Sequence, residues 1–205
     1  MAFRLFILAM ALSLPVSMIA KGSPAPQKKS HAQQQNKQDS VSKSDKMFLK
    51  ALIQEDISEI GLAKMALQKS SNPDVKQYAQ TKILAADPQM RDGAEKIAQD
   101  NGMQPPTQPN ARQKKMYDKL SQKSGKLFDN AYMNYEATQQ TNDVKLANAE
   151  LGSTHSSVMK SYLDNEKTPI VKAAASAKKI SQTISSGMTH YQQQATKQGG
   201  ARQHR

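Results

Sequence analysis

The sequence predicts an all-α protein, an antiparallel bundle of four helices with one short additional helix. Aromatic residues make up only 5% of the 205 residues and Trp is absent, so the chain lacks the side chains from which strands are commonly built. Ala, Lys, Gln, Met and Leu are frequent, and they lose little conformational freedom in a helix. Apolar residues recur at helical spacing, which is typical of helices that pack on one another. The absence of Cys excludes disulfide scaffolds, thiol nucleophiles and cysteine metal sites.

The composition divides the chain into four segments. Residues 1–20 hold one Arg, an uncharged apolar run and small residues, the pattern of a Sec signal peptide cleaved after Ala20. An uncleaved N-terminal anchor is an alternative, because the cleavage pattern is imperfect. Residues 21–44 are basic and rich in Gln, and residues 187–205 share this composition, so both segments are expected to be disordered. Residues 45–186 are the predicted helical domain, which export would deliver to the periplasm or cell envelope, or outside the cell.

An Asn-Pro pair separates the first two predicted helices. An apolar stripe predicts the first helix over residues 45–69. Asn72 is then placed to cap a second helix that has Pro73 at its first position. Pro88 falls inside the apolar stripe of this second helix. Because proline removes a backbone donor and clashes with the preceding turn, Pro88 is expected to kink or divide the helix.

The second half begins after Asn101 and Gly102, which are expected to end the second helix before a proline-rich loop. A third helix is predicted to start near residue 110 and to continue to residue 151. A shorter helical segment follows around residues 158–163. Thr168 and Pro169 then have the order of a cap and a first helical residue, so they predict the start of a last helix.

The positive charge lies mostly outside the predicted domain. The formal net charge is +12, whereas residues 47–186 carry 19 basic and 15 acidic side chains and contribute only +4. Lys greatly outnumbers Arg and no aromatic residues alternate with the lysines, which argues against sequence-specific nucleic-acid binding. Weak contact of the basic ends with anionic envelope components is an alternative to their being plain linkers.

Several short motifs of the helical segments occur in a fixed order. They are Asp45-x-x-Phe48-Leu49, Glu59-Ile60-Gly61-x-Ala63, Val75-Lys76-x-Tyr78-Ala79, Gly125-x-x-Phe128-Asp129-x-x-Tyr132 and Thr168-Pro169. With these motifs the chain resembles a bacterial family of exported ferritin-like domains, classed as a domain of unknown function and often labelled an outer-membrane protein. The resemblance covers residues 45–184 and implies a ferritin-like four-helix bundle, in agreement with the helical pattern.

The histidines that the resemblance implies are missing from this chain. Members of the family commonly carry one His in each of the second, third and last helices. These positions fall here on Ala86 or Asp87, on Gln140 or Gln139, and on Ala174. If the histidines hold a metal ion in relatives, this chain keeps only carboxylates for that purpose.

Four carboxylates are the candidate metal ligands. Asp56 and Glu59 fall within the apolar stripe of the first helix, where an unpaired charge is costly. Asp87 and Glu136 are the acidic residues of the second and third helices that could join them. Di-iron bundles combine inward glutamates with Glu-x-x-His pairs, and the nearest sequence here is Glu136-x-x-Gln139. A structural role for these four residues is therefore favoured over ligation of iron or manganese.

The structural interpretation also predicts specific partners. Glu59 is expected to accept a hydrogen bond from a basic or hydroxyl side chain, and the candidates are Lys82, Tyr78 and Tyr132. Asp87 is expected to cap a helix that restarts at Pro88, with a solvated position at the bundle edge as the alternative.

No catalytic constellation is recognisable in the sequence. There is no G-x-S-x-G, no S-x-x-K and no glycine-rich phosphate loop, and the four His share no helical face. We therefore expect an exported, non-enzymatic, envelope or stress-associated protein that has a degenerate metal site and needs no cofactor. Its biochemical role, partner and oligomeric state stay unknown. The alternative is a ferritin-like metal-binding protein or oxidase that uses the inward carboxylates with iron or manganese.

Overall fold

The computed structural model describes residues 40–201, and every regular element within them is helical. The predicted signal peptide and most of the predicted linker lie outside the described residues. The elements are α1 (Lys43–Lys69), α2 (Pro73–Tyr78), a π-helical segment (Ala79–Ile83), α3 (Asp87–Asp100), α4 (Ala111–Ser121), α5 (Gly125–Ser153) and α6 (Ser157–Ala201). The all-α fold class is confirmed. None of the described helices is long and apolar enough to cross a membrane.

The chain forms four helical rods, namely α1, the α2–α3 run, α5 and α6. Lys46, near the start of α1, donates a hydrogen bond of 2.7 Å to the Asn101 carbonyl at the end of α3, so these two rods are antiparallel. Lys69, at the end of α1, donates to the carbonyl of Lys123 just before α5, so α5 also runs opposite to α1. The α2–α3 run and α5 are therefore parallel. The long connection that carries α4 crosses the bundle to join them.

Local cap signals set most of the helix starts. The Asn72 side chain accepts a hydrogen bond of 2.9 Å from the Asp74 backbone, with Pro73 at the start of α2. Asn110 and Gln113 form a capping box at α4. The second rod ends at Asn101, and Gly102 follows with a φ of 69°, a conformation that glycine adopts without strain. All three boundaries confirm the sequence predictions.

The first rod starts slightly earlier than predicted. Ser42 and Asp45 form a capping box, so α1 begins at Lys43, and two residues assigned to the disordered linker are helical. Val41 just before the cap is buried in the bundle. The predicted third helix is two helices, α4 and α5, because the chain leaves helical geometry before Gly125, whose φ is 52°. The predicted division at Pro88 is confirmed, with a π-helical segment and a turn ahead of α3.

The last rod differs most from the prediction. Pro169 does not start a helix but lies inside α6, which is continuous from Ser157 to Ala201. Buried residues of α6 lie on both sides of Pro169, among them Leu163 and Ala177, so packing along the bundle outweighs the lost backbone hydrogen bond. Residues 187–201 of the predicted disordered tail are also helical, in keeping with the helix propensity of their Gln and Ala residues.

Two apolar clusters fill the two ends of the bundle. The first apolar cluster includes Leu62, Tyr78, Phe128, Tyr132 and Ala177. The second apolar cluster includes Leu49, Ile53, Ala98, Met159 and Leu163. In each rod the residues between the two clusters include acidic or amide side chains. The fold therefore has a polar layer at its mid-height, where the candidate site lies.

Candidate carboxylate site

The polar layer contains six carboxylates on α1, α3 and α5, which we call the carboxylate cluster. Its members are Glu55, Asp56 and Glu59 of α1, Asp87 of α3, and Glu136 and Asp143 of α5. All four carboxylates predicted from the sequence belong to this cluster. The side chains of Asp56, Glu59, Asp87 and Glu136 are between 0% and 4% exposed. Such burial is rare for acidic residues and requires a specific explanation.

The hydrogen bonds of the cluster come from amides and tyrosines rather than from cations. Gln140 Nε2 donates to Glu59 Oε2 at 2.8 Å. Tyr78 Oη donates to Glu136 Oε2 at 3.2 Å. The predicted partners of Glu59 are therefore wrong: its donor is Gln140 of α5, and the Tyr78 hydroxyl is directed to Glu136 instead. Lys82 forms no ion pair with the cluster within the described residues.

Glu55 and Asp143, the two half-buried members of the cluster, also accept hydrogen bonds from neutral side chains. Glu55 accepts a hydrogen bond from Tyr135 Oη at 3.1 Å and a second one from the Gln113 amide. Asp143 accepts from Gln139 Nε2 at 3.2 Å. These donors fix the orientation of the carboxylates, but as neutral groups they do not balance their charge.

Several carboxylate oxygens in the layer lack a donor. Asp56 Oδ2, Glu59 Oε1, Asp87 Oδ2 and Glu136 Oε1 are buried and accept no hydrogen bond from the described protein groups. An ionised oxygen in such a position has lost its hydration without replacement. The layer therefore has more acceptors than donors, and it can gain free energy by taking up protons or an external cation.

Burial and mutual repulsion raise the pKa values of the cluster. Burial raises the pKa of Asp56, Glu59 and Glu136 well above the ordinary value, and neighbouring carboxylates add to the effect. Burial raises the pKa of Asp87 to about 8, although a hydrogen bond with Glu59 partly opposes the rise. Burial likewise raises the pKa of Asp143 to about 7. At neutral pH Asp87 therefore keeps most of its proton, and Asp143 keeps about half of its own.

Asp87 does not have its predicted role. The residue at the cap position of α3 is Ala86, and Asp87 is the first helical residue, with Pro88 after it. Its side chain forms no cap but is buried in the polar layer against Glu59. The Asp-Pro pair indicated the helix start to within one residue, whereas the direction of the carboxylate depends on the rods that surround it.

The donor set does not fit a preformed di-metal centre. Among the described residues, no three His, Cys, Asp or Glu side chains are arranged to hold one metal ion. His155 lies in the connection between α5 and α6, outside the polar layer. At the three positions where the resemblance implies histidines, the chain has Asp87 or Ala86, Gln140 or Gln139, and Ala174. The amide of Gln140 already donates a hydrogen bond to Glu59.

Glu55 and Asp143 were not predicted from the sequence as members of the site. Both are half-buried and lie at the edge of the apolar stripes, where acidic residues are usually solvated. The sequence spacing could have predicted them as members of the site, since Glu55 precedes Glu59 by four residues and Asp143 follows Glu136 by seven. These intervals put each pair on one helix face.

A cavity of about 100 Å³ opens beside the cluster. It is lined by five of the six cluster residues, all except Glu136, by Glu166 of α6, and by the apolar side chains of Phe48, Leu52, Met90 and Leu163. Among the described residues, Lys82 is the only basic one in this lining. The cavity therefore combines apolar walls with acidic side chains whose oxygens lack donors.

The positions that carried the family resemblance have mainly structural surroundings. Most of them lie in the first apolar cluster: Ala63, Val75, Tyr78, Ala79, Phe128 and Tyr132. Phe48 and Pro169 line the cavity. Gly61 faces the Tyr117 ring, and Asp129 is a buried carboxylate outside the cavity lining. Only Glu59 belongs to the carboxylate cluster, so the motifs chiefly identify the fold.

Comparison with known proteins gives a family but no activity. A family model described as a domain of unknown function (DUF4142) matches residues 30–180, which include nearly all of the described bundle up to the middle of α6. No curated protein and no solved structure matches the chain.

Proposed function

Since the chain belongs to the DUF4142 family of domains of unknown function, we propose its role from its own site. We propose that it is an exported, non-enzymatic protein with a ferritin-like bundle and a degenerate metal site. The observation that carries this proposal is the polar layer. Its buried carboxylates accept hydrogen bonds from amide and tyrosine side chains, not from the imidazole-bearing helices of a di-metal centre.

The path of the chain supports the ferritin-like part of the proposal. Ferritin-like bundles have one long crossover between two hairpins. Here the crossover is the connection that carries α4, and it joins two parallel rods. Inward carboxylates at mid-height also agree with such a bundle, because di-metal proteins of this fold bind their ions between facing helices.

The donor chemistry supports the loss of the metal site. A di-metal centre combines carboxylates with imidazoles, whereas the neutral amide of Gln140 is a weak ligand for iron or manganese. The amide is also engaged by Glu59. A carboxylate layer of this kind has the features of a structural remnant rather than of an oxidase centre. The proposed envelope location depends on the signal-peptide pattern of residues 1–20.

Metal analysis tests the proposed function. We expect the purified protein, dialysed against manganese at a pH above 8 and then against buffer, to retain well below one ion per chain. The pH is chosen because Asp87, with a pKa of about 8, is then largely ionised and protons compete least. Retention of one or more ions per chain that Glu59→Ala abolishes, and that Asp129→Ala does not, would contradict the proposal and favour the metalloprotein.

The basic N-terminal segment supports a weak electrostatic contact with anionic envelope components. We expect vesicles containing phosphatidylglycerol to retain the mature chain at low salt and to release it at ~0.5 M salt, where the screening length is a few ångströms. The variant with Lys21, Lys28, Lys29 and Lys37 all changed to Gln should lose this retention. Its control changes four exposed lysines of the bundle to Gln: Lys50, Lys64, Lys160 and Lys172. Equal loss of vesicle retention in both variants would contradict a role of the N-terminal segment and would assign the retention to the net charge of the whole chain.

A further inference from the structure

The cavity beside the carboxylate cluster has a size and lining that fit a small amphipathic ligand. Phe48, Leu52, Leu163 and Ile170 contribute apolar surface to it. An apolar cavity of ~150 Å³ holds benzene, so a volume of about 100 Å³ suits an aliphatic group of about four carbons. Burial of such a chain against these side chains would be favourable.

The acidic side chains of the lining lack hydrogen bonds that a positively charged donor could supply. Asp56, Glu59 and Asp87 line the cavity, are 3% or 4% exposed, and each has one buried oxygen that accepts no hydrogen bond. Lys82, the one basic residue in the lining, forms no ion pair with them within the described residues. A ligand with several N–H donors and a positive charge would satisfy these oxygens.

The donor requirement of the carboxylates favours an ammonium ion over a metal ion. A metal with ligand bonds of ~2.0–2.2 Å draws its oxygens to within about 3 Å of one another. No three acidic side chains of the described residues are arranged in this way. An ammonium group instead carries three N–H donors, each of which can satisfy one carboxylate oxygen at ~2.8 Å. Carboxylates that form no metal site can thus still accept hydrogen bonds from an ammonium group.

We propose that this cavity binds a primary aliphatic ammonium ion of about four carbons. Its ammonium group donates to Asp56, Glu59 and Asp87, and its alkyl chain packs against the apolar walls. This proposal goes beyond the proposed function, which assigns no ligand.

Calorimetric titration with n-butylammonium tests the proposal, and 1-butanol serves as the matched ligand without charge. We expect n-butylammonium to bind the full mature chain with a Kd of about 0.1–1 mM, the range for a ligand of about five non-hydrogen atoms. At pH 7, binding should release protons, measured as a difference between two buffers of unlike ionisation enthalpy. Equal binding of 1-butanol, or no binding of n-butylammonium, would overturn the proposal.

Amide variants identify the carboxylates that take part. Asp56→Asn and Asp87→Asn should each weaken n-butylammonium binding about 10-fold or more, because each removes a charged acceptor. Asp129→Asn is the matched control, since Asp129 is a buried carboxylate outside the cavity lining, and it should leave the Kd unchanged. Equal weakening by all three variants would contradict a cavity site. If an amide variant does not fold, the unaltered chain still tests the proposal, because n-butylammonium binding without proton release would contradict binding at the carboxylates.

The outcomes for the two proposals are separable. Metal retention lost with Glu59→Ala would overturn the proposed function, whereas the titration of the metal-free chain with n-butylammonium decides the ligand proposal separately. Failure of n-butylammonium to bind would overturn only the ligand proposal, because a degenerate metal site makes no claim about amines.

Discussion

The free energy of unfolding is expected to fall by several kcal/mol between pH 5 and pH 7.5, the reverse of what ion-paired carboxylates produce. Asp87 has a pKa of about 8 in the folded protein against 3.8 for the ordinary group. Between these values the folded chain keeps the proton and the unfolded chain does not, so unfolding releases a proton. Each pH unit in this window then costs about 1.4 kcal/mol of stability for one such group.

The part of this loss that belongs to Asp87 should level off above pH 8, where folded Asp87 is itself ionised. Other buried carboxylates with raised pKa values act in the same direction, among them Glu59 and Glu136. Thermal or urea unfolding across this pH range measures the slope. Stability that increases from pH 5 to pH 7.5 would contradict this expectation and would mean that positively charged groups of the protein neutralise the ionised carboxylates of the layer.

Asp87→Asn isolates the contribution of this group. The amide cannot ionise, so the variant should be about 2–4 kcal/mol more stable than the parent near pH 7.5 and should show a shallower pH slope. The neutral amide accepts a weaker hydrogen bond from Glu59 than a carboxylate does, which reduces the gain. Asp92→Asn, an exposed change in the same helix, is the control and should preserve the parent's slope. An unchanged slope in Asp87→Asn would assign the pH dependence to other groups.

The features that the sequence predicted well are those decided within a few residues. Asn72, Asn110 and Asn101–Gly102 mark helix boundaries because the groups that satisfy the free backbone donors and acceptors lie in the same turn. The burial of Asp56 and Glu59 was also predictable, since a regular helix carries them on its apolar face. In each case local geometry alone gives the answer.

The features that the sequence did not predict depend on the packing of distant segments. Pro169 has the local signature of a helix start, yet the contacts of α6 on both sides of it keep one helix continuous. The donor to Glu59 is separated from it by 81 residues, so helical periodicity could not select Gln140 over Lys82. Partners across rods are fixed by the relative position and rotation of the rods, which no single helix encodes.

Phe128→Ala is expected to lower the free energy of unfolding by about 3–5 kcal/mol, through lost burial and a cavity that the rods cannot fully close. Phe128 is fully buried in the first apolar cluster. Its ring lies stacked on that of Tyr132, with centroids 5.8 Å apart and planes inclined by 7°. Lys69 Nζ lies 6.0 Å from the ring centroid, so truncation also removes a cation–π contact at the end of α1.

Denaturant unfolding of Phe128→Ala beside Leu127→Ala measures this contribution. Leu127 is the preceding residue and is 63% exposed, so its truncation should change stability by no more than about 0.5 kcal/mol. Similar losses in both variants would contradict the assignment of Phe128 to the core. Because Phe128 does not line the cavity, folded Phe128→Ala should still bind n-butylammonium with the parent's Kd. Stability and binding would then respond to different residues, as expected if the motif positions maintain the fold and the carboxylate layer forms the site.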